Sequence, residues 1–279
     1  MSEIVAGMLY VVATPIGNLG DLTPRAREVL AGVSAIGAED TRNTAVLLGQ
    51  FGIGTPLVAV HDHNEGDIAA KLVARLQAGD SLALVSDAGT PLVSDPGYRL
   101  VRAVREAGLP VVPVPGACAA IAALSVAGIP SDRFCFEGFL PVKGGARRER
   151  LGELLSETRT LVFYESAHRI EESLADLVAV FGAEREATLG RELTKRFETL
   201  LGPTLGAIQQ AVAADANQRK GEFVLVVRGS VDREAAQLAE GKRLYAKLAA
   251  HLKPSQAAKL AAELSGAPRK ALYVGGDAD

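Results

Sequence analysis

The sequence predicts an α/β protein of two domains with a small helical appendage. Three observations carry that expectation. Short apolar runs rich in β-formers alternate with amphipathic stretches up to residue 115, and the alternation restarts after Pro115-Gly116 and continues to residue 229. From residue 230 the strands stop, and an Ala- and Lys-rich stretch of purely helical period follows. The chain has 279 residues, 48% of them apolar, enough for two modest cores.

Composition narrows the function class. A net charge of −3 excludes a uniformly basic nucleic-acid coat and leaves local basic patches to be sought. Cys118 and Cys135 stand in apolar surroundings without metal-ligand spacing, so they read as reduced thiols of a cytoplasmic protein. The opening "MSEIVAGMLYVVATP" has neither the basic nor the long apolar region of a secretory signal. No run approaches the ~18 apolar residues of a membrane helix.

In the first domain, "MLYVVA" (8–13) reads as a buried parallel strand. It breaks into "TPIGNLGDLT", and Thr23-Pro24 then supply the N-cap and first residue of a helix. Gly17 and Gly20 do not make a dinucleotide fingerprint, and Pro15 removes an amide that a phosphate nest would use. The loop favours a ligand needing close backbone approach. Strands follow at 35–39, 57–60, 81–86 and 110–115, with helices at 41–51, 67–79 and 97–108. Five strands alternating with helices imply a parallel sheet. The stretch "LVSDAGTPLVSDPG" (84–97) is the densest in turn formers. It is either a long βα turn or a place where bare backbone meets a ligand.

The small-residue helix "ACAAIAALSVAG" opens the second alternation. Strands are expected at 133–140, 160–165, 186–192 and 222–229, and helices at 147–157, 168–181 and 204–214. The first of these strands is less uniformly apolar, so a mixed sheet is expected. In the tail, Pro254 opens one helix, Gly266 turns the chain and Pro268 opens another, the spacing of a helix-turn-helix. From Gly241 onward seven basic residues stand against three acidic ones. That balance fits a phosphate-contacting appendage or a solvated helical cap.

Polar residues gather at predicted strand ends. In "AEDTRNT", Asp40 or Thr41 reads as a helix cap. Arg42 opposes the helix dipole there, so it binds phosphate or pairs with Glu39. His61, His63 and Glu65 lack the further ligands of a zinc site, and no metal is expected. His168 in "ESAHRI" is a general base or a helix cap. Arg191 and Lys195 in "RELTKRFE" are placed for phosphate contact, although a solvated edge strand would look the same. "VKGGARRER", with Lys143, Arg147, Arg148 and Arg150, reads as a mobile basic lid or a soluble linker.

Taken in order, "LYVVATPIGNLGDLTPRA", "AEDTR", "SDAGTPLVSDPG", "VPGACAAIAAL", "FYESAHRI" and "RELTK" resemble the bacterial 16S ribosomal RNA (cytidine-2′-O)-methyltransferases of the tetrapyrrole-methylase class. The resemblance spans nearly the whole chain. It implies two α/β domains of tetrapyrrole-methylase type, at 1–117 and 118–232, with an active-site cleft between them and a basic helical appendage at 233–279. S-adenosylmethionine is then expected near Pro15, Ser86, Asp87, Thr90, Cys118, Ala119, Tyr164, Glu165, Glu192 and Leu193. Similar proteins form homodimers, so a homodimer acting on 16S rRNA of the small (30S) ribosomal subunit is expected. Residues expected to touch RNA are Arg42, Lys143, Arg147, Arg148, Arg191 and Lys195. A ribose hydroxyl is a poor nucleophile, so a group must orient it or accept its proton. The candidates are Glu39, Asp40, Glu165, His168 and Lys195, with Asp21 a weaker option. A tetrapyrrole or other small-molecule methylase on the same fold is the alternative, and an RNA-binding module without catalysis is a third reading. "AEDTR", "RELTK" and the basic segments favour the first. The turn-rich loops argue against the third, since a dead binder needs no ligand-sized cleft.

Overall fold

The structure, a computed structural model, describes residues 4–61, 65–231 and 233–272. It forms two compact units. The first comprises Met1–Ala122 with Glu192–Glu198, and the second Ala123–Arg191 with Thr199–Asp279.

Unit 1 holds five strands, β1 (Leu9–Val12), β2 (Ala35–Ala38), β3 (Leu57–Ala59), β4 (Leu82–Val85) and β5 (Val111–Val114). They are all parallel, in the order β3-β2-β4-β1-β5. The inner strands read as unbroken apolar runs because helices cover both faces. On one face Tyr10, Val12, Ile36, Ala38 and Val85 pack against α1 (Pro24–Gly32) and α2 (Thr41–Gln50) through Ala26, Val29, Leu30 and Leu48. On the other, Leu9, Ala35, Leu82 and Leu84 meet α3 (Glu65–Gln77) and α4 (Tyr98–Glu106) through Leu72, Leu76, Leu100 and Val104. Alternate residues of each strand thus serve opposite faces. Thr23 caps α1 by accepting from the Ala26 N–H at 3.1 Å, with Pro24 at the first helical position. The strand order sets β4, β1 and β5 side by side, so the loops leaving their carboxyl ends emerge together. The third loop enters α5 (Ala119–Val126), within which the two units divide.

Unit 2 has a mixed sheet, as expected, in the order β6-β7-β10-β8-β9. Its strands are β6 (Phe134–Phe139), β7 (Thr160–Ser166), β8 (Ala187–Arg191), β9 (Thr199–Leu201) and β10 (Glu222–Val227). β6 and β7 run parallel and the other neighbours antiparallel. Helices α6 (Gly144–Leu154), α7 (Ile170–Phe181) and α8 (Leu205–Ala214) cover one face, where Leu151, Leu174, Leu177 and Ile208 pack on Leu161, Phe163, Leu189 and Leu225.

Three local expectations are corrected. β9 was not expected, because three residues cannot display an alternation by themselves. α6 begins at Gly144, so the basic stretch 143–150 is mostly helix and not a loop. α7 is preceded by Arg169 as its N-cap, so His168 lies outside the helix and does not cap it.

The tail folds as α9 (Arg233–Ala249), α10 (Pro254–Ser265) and α11 (Arg269–Leu272). These helices share a small core of Leu238, Leu244, Leu248, Ala261, Ala267 and Leu272. Gly266 ends α10 in the left-handed conformation, at the expected turn.

Candidate functional site

The strand-end loops of unit 1 are tied into one platform. The backbones of Thr14 and Gly89 pair reciprocally, at 2.9 Å and 3.1 Å, joining the loops that leave β1 and β4. The Thr90 hydroxyl donates to the Ala117 carbonyl at 3.0 Å and brings in the loop after β5. Gly89 has φ +82°, and a Cβ there would stand 3.3 Å from Ile16 Cγ2. Only glycine meets both demands without strain, and it leaves the backbone bare.

Asp87 closes β4 and accepts from the Asp40 N–H at 3.1 Å and from Asn43 Nδ2 at 2.8 Å. It therefore fixes the start of α2. Asp40 caps that helix by accepting from the Arg42 N–H at 2.8 Å. Its carboxylate also takes Arg42 Nε at 3.1 Å and Nη2 at 2.6 Å. Arg42's side-chain hydrogen bonds hold the Asp40 carboxyl down at about 2, with help from the Arg42 amide. A carboxylate so engaged is a weak proton acceptor at neutral pH. Glu39 is half-buried just before it. Arg42 itself is 88% exposed, so its guanidinium can reach a partner in solution.

Backbone strain concentrates here. Among the described residues, the non-glycine positions with positive φ are Leu92 (+73°), Ser94 (+64°), Glu192 (+51°) and Thr194 (+67°). All four belong to unit 1. Each such residue costs on the order of 1–3 kcal/mol, and strain of this kind gathers at functional sites. The segment Glu192–Glu198 is distant in sequence, yet it joins this unit. Lys195 Nζ pairs with Glu192 Oε1 at 2.8 Å, and its alkyl chain lies over Gly17. A Cβ at Gly17 would fall 2.3 Å from Lys195 Cγ, so a side chain there would evict the lysine. Leu193 is buried between the strained residues. Among the described residues, Asp21 Oδ2 and Thr194 Oγ1 are buried polar atoms of this unit without a hydrogen-bond partner.

Pro15 is buried beside Thr14, and Ser86 directs its hydroxyl to the Ala88 carbonyl at 3.3 Å. Cys118 is a half-buried free thiol, and Ala119 begins α5. The platform thus gathers Pro15, Ser86, Asp87, Thr90, Cys118 and Ala119 on the loops after β1, β4 and β5. It also gathers Asp40 and Arg42 at α2, and Glu192, Leu193 and Lys195 on the returning segment.

In unit 2, Tyr164 stands edge-on to Phe136 and Phe139, with ring centroids at 4.9 Å and 5.8 Å. Glu165 is buried and accepts from Ser173 Oγ at 2.5 Å and the Ser166 N–H at 2.8 Å, with Arg169 at 3.3 Å. That many donors make it a fixed structural carboxylate. His168 is exposed nearby.

Two expected RNA contacts are corrected by burial. Arg147 is 3% exposed, with Nε at 2.6 Å from Asp176 and Nη2 at 3.3 Å from Glu172. Burial opposes its charge, but these two carboxylates outweigh it and raise its pKa. Arg191 is also buried, and its Nε donates to the Lys220 carbonyl at 2.7 Å. Lys143 and Arg148 remain exposed, although Arg148 is tied to Asp176 at 3.0 Å. Of the histidine cluster, His63 lies outside the described residues and Glu65 begins α3. Among the described residues no group of three His, Cys, Asp or Glu could hold a metal.

Sequence reasoning singled out the polar loops that hold Thr14, Asn43 and Thr194 without assigning these residues a role, and it missed Ala117 and Ser173. Thr14 and Ala117 flank prolines or glycines in loops already singled out, so position alone could have found them. Ser173 and Thr194 act through partners or backbone angles that no local pattern announces.

Known proteins resemble this chain over most of its length. Residues 8–209 match the family described as Tetrapyrrole (Corrin/Porphyrin) Methylases, and residues 235–274 match the RsmI C-terminal HTH domain. A protein of Xylella fastidiosa (strain Temecula1) named ribosomal RNA small subunit methyltransferase I is 62% identical, over 96% of this chain and 98% of its own length. One of the same name from Escherichia coli O157:H7 is 56% identical, over 96% and 93%. Among solved structures, the methyltransferase CobJ superposes with a TM-score of 0.59 at 20% identity, covering 80% of this chain and 95% of its own. A Thermus thermophilus uroporphyrin-III C-methyltransferase complexed with S-adenyl homocysteine does so with 0.53 at 20%, covering 78% and 96%. At that identity the structures show the fold, and the sequence relatives narrow the family. The chain belongs to the tetrapyrrole (corrin/porphyrin) methylases and, within them, to the family of ribosomal RNA small subunit methyltransferase I.

Proposed function

We propose that this protein transfers a methyl group from S-adenosylmethionine to the 2′-hydroxyl of a cytidine in 16S rRNA of the small ribosomal subunit. The observation that carries the reading is end-to-end similarity, tail included, to proteins named for small-subunit rRNA methylation. The tetrapyrrole alternative has distant fold neighbours behind it, at 15–22% identity. The enzyme is taken to act as a cytoplasmic homodimer, as the family resemblance implies. Among the described residues no helix is long and apolar enough to cross a membrane.

The residues present fit the donor. The bare backbone at Gly89, pinned to Thr14, and the unpartnered polar atoms at Thr194 and Asp21 suit a polar ligand laid on strand ends. Pro15, Ser86, Asp87, Thr90, Cys118 and Ala119 would hold it, with Glu192 and Leu193 on the returning segment. When bound, S-adenosylmethionine supplies an electrophilic sulfonium methyl. What remains for this chain is to align the hydroxyl and take its proton.

The carboxylates divide by what faces them. Asp40 is held by Arg42, Asp87 by α2, Glu165 by Ser173 and Arg169, and Glu192 by Lys195. Among the described residues Asp21 Oδ2 is buried with no donor on it, so Asp21 is favoured over these four as acceptor of the hydroxyl proton. Lys195 and Arg42 are assigned to the RNA phosphates beside it.

The test supplies radiolabelled S-adenosylmethionine with 30S subunits, free 16S rRNA and a uroporphyrinogen side by side. Label resisting alkali at one cytidine is expected, because a methylated 2′-oxygen cannot attack its own phosphodiester. Label in the tetrapyrrole alone would overturn the substrate. In the same assay Asp21→Asn should lower turnover by about 10²-fold or more with S-adenosylhomocysteine affinity unchanged. Full turnover in that variant would remove Asp21 from the role.

A further inference from the structure

α4 carries a charged surface that the proposed methyl transfer does not use. Leu100 and Val104 bury one side of the helix, and Arg99, Arg102 and Arg105 line the other at three-residue steps. Such steps lie along one face and advance about 4.5 Å each. Arg102 pairs with Glu106 at 2.7 Å, both being 63% exposed. Arg99 and Arg105 have no carboxylate within ion-pair distance among the described residues. Tyr98 heads the row with 62% of its surface exposed.

The surface is not flat. A depression of about 390 Å³ is lined by Tyr98, Val101, Arg102, Arg105 and Glu106. A second, of about 370 Å³, is lined by Arg105, Gly108, Leu109 and Val111. Arg105 borders both, and the pair, here the α4 trough, lies between Tyr98 at the head of α4 and Val111 of β5, the edge strand of the sheet. Arg105 and the Arg102–Glu106 pair line it with the Tyr98 ring at one end, and Arg99 stands on the same helix just outside it, in a chain of net charge −3. A basic groove with an exposed ring is the arrangement that tracks a single nucleic-acid strand, with guanidinium groups on phosphates and the ring under a base.

We propose that the α4 trough is a second RNA-contacting surface, separate from the strand-end platform, which seats a single-stranded segment of the rRNA substrate through its phosphates. This rests on the rRNA reading above. It gives unit 1 a grip on RNA beyond the reacting nucleotide.

The test compares wild type, Arg99→Glu/Arg105→Glu, Arg99→Lys/Arg105→Lys and Tyr98→Ala as full-length proteins. Binding to 30S subunits and to a single-stranded 12-nucleotide RNA is measured across salt concentration. The charge reversal should weaken binding at least tenfold near ~0.1 M salt. It should also flatten the log–log salt slope by about 0.7 for each lost phosphate contact. The lysine pair should keep the slope, and Tyr98→Ala should weaken binding several-fold without altering it. S-adenosylhomocysteine affinity and melting temperature should match wild type throughout. A charge-reversed protein with wild-type affinity and slope would overturn the proposal. Failure of wild type itself to bind or methylate 30S subunits would be a failure of the functional reading instead.

Discussion

Two aspartates of unit 1 have their pKa values shifted in opposite directions. Asp40 is held low, at about 2, by the hydrogen bonds from Arg42. Its folded value lies below the unfolded value near ~3.9, so its contribution to stability is complete above pH ~4 and fades as pH falls toward 2. Asp95 is pushed up, first by burial and also by the charge of Asp87, against a hydrogen bond from Ser86. A raised carboxyl means that the fold prefers the protonated form. Ionisation at neutral pH then costs stability, which returns as pH falls through the raised value. Asp95→Asn removes the charge and keeps the shape. It is expected to raise the urea midpoint at pH 7, with the gain shrinking in acid. A gain of equal size at pH 4 and pH 7 would place its origin in packing and not in charge.

Among elements, the junction of α6 with α7 shows what a sequence pattern can and cannot reveal. "VKGGARRER" reads as a solvated basic stretch because four cations in nine residues resemble a surface. Arg147 is instead a bolt between the helices, held by Asp176 from 29 positions further on. Removing Arg147 takes its hydrogen bonds from Asp176 and Glu172 and leaves Asp176 with Arg148 alone, a loss of about 1–3 kcal/mol. Arg147→Ala should therefore lose about that much unfolding free energy, and Arg147→Met with Asp176→Leu should recover most of it. The RNA salt slope should stay at the wild-type value in both, and a change of slope would return Arg147 to the RNA surface. The same limit separates the rest. The strands of unit 1 were legible because burial on both faces makes each an apolar run, and Thr23-Pro24 announced α1 locally. β9 was too short to show a period. The entry of Glu192–Glu198 into unit 1 depends on Gly17 making room for Lys195, a contact between residues 178 positions apart. Loop composition pointed to the strand-end platform, but which carboxylate keeps an unpartnered oxygen is a property of the finished hydrogen-bond network.

At the level of the whole molecule, a chain of net charge −3 must bind a polyanion through segregated charge. Two such segregations stand out. One is the α4 row in unit 1. The other is the helical tail, where Lys242, Lys247, Lys253, Lys259, Arg269 and Lys270 are all exposed around a core of the tail's own. Arg243 there is already paired to Glu240 at 2.7 Å, so it adds little. If both surfaces hold the same RNA, each should contribute its own share of released counterions, and separated sites without shared partners should act additively. Lys253→Glu/Lys259→Glu/Lys270→Glu in the full-length chain is expected to flatten the salt slope for 30S binding by about 2 units. Cofactor affinity should not change, because the strand-end platform contains none of these residues. Combined with the α4 charge reversal, the two losses of slope should sum. A tail variant with the wild-type slope would make the tail a solvated cap. A combined variant no worse than the α4 variant would leave α4 as the basic surface that governs the salt dependence of binding.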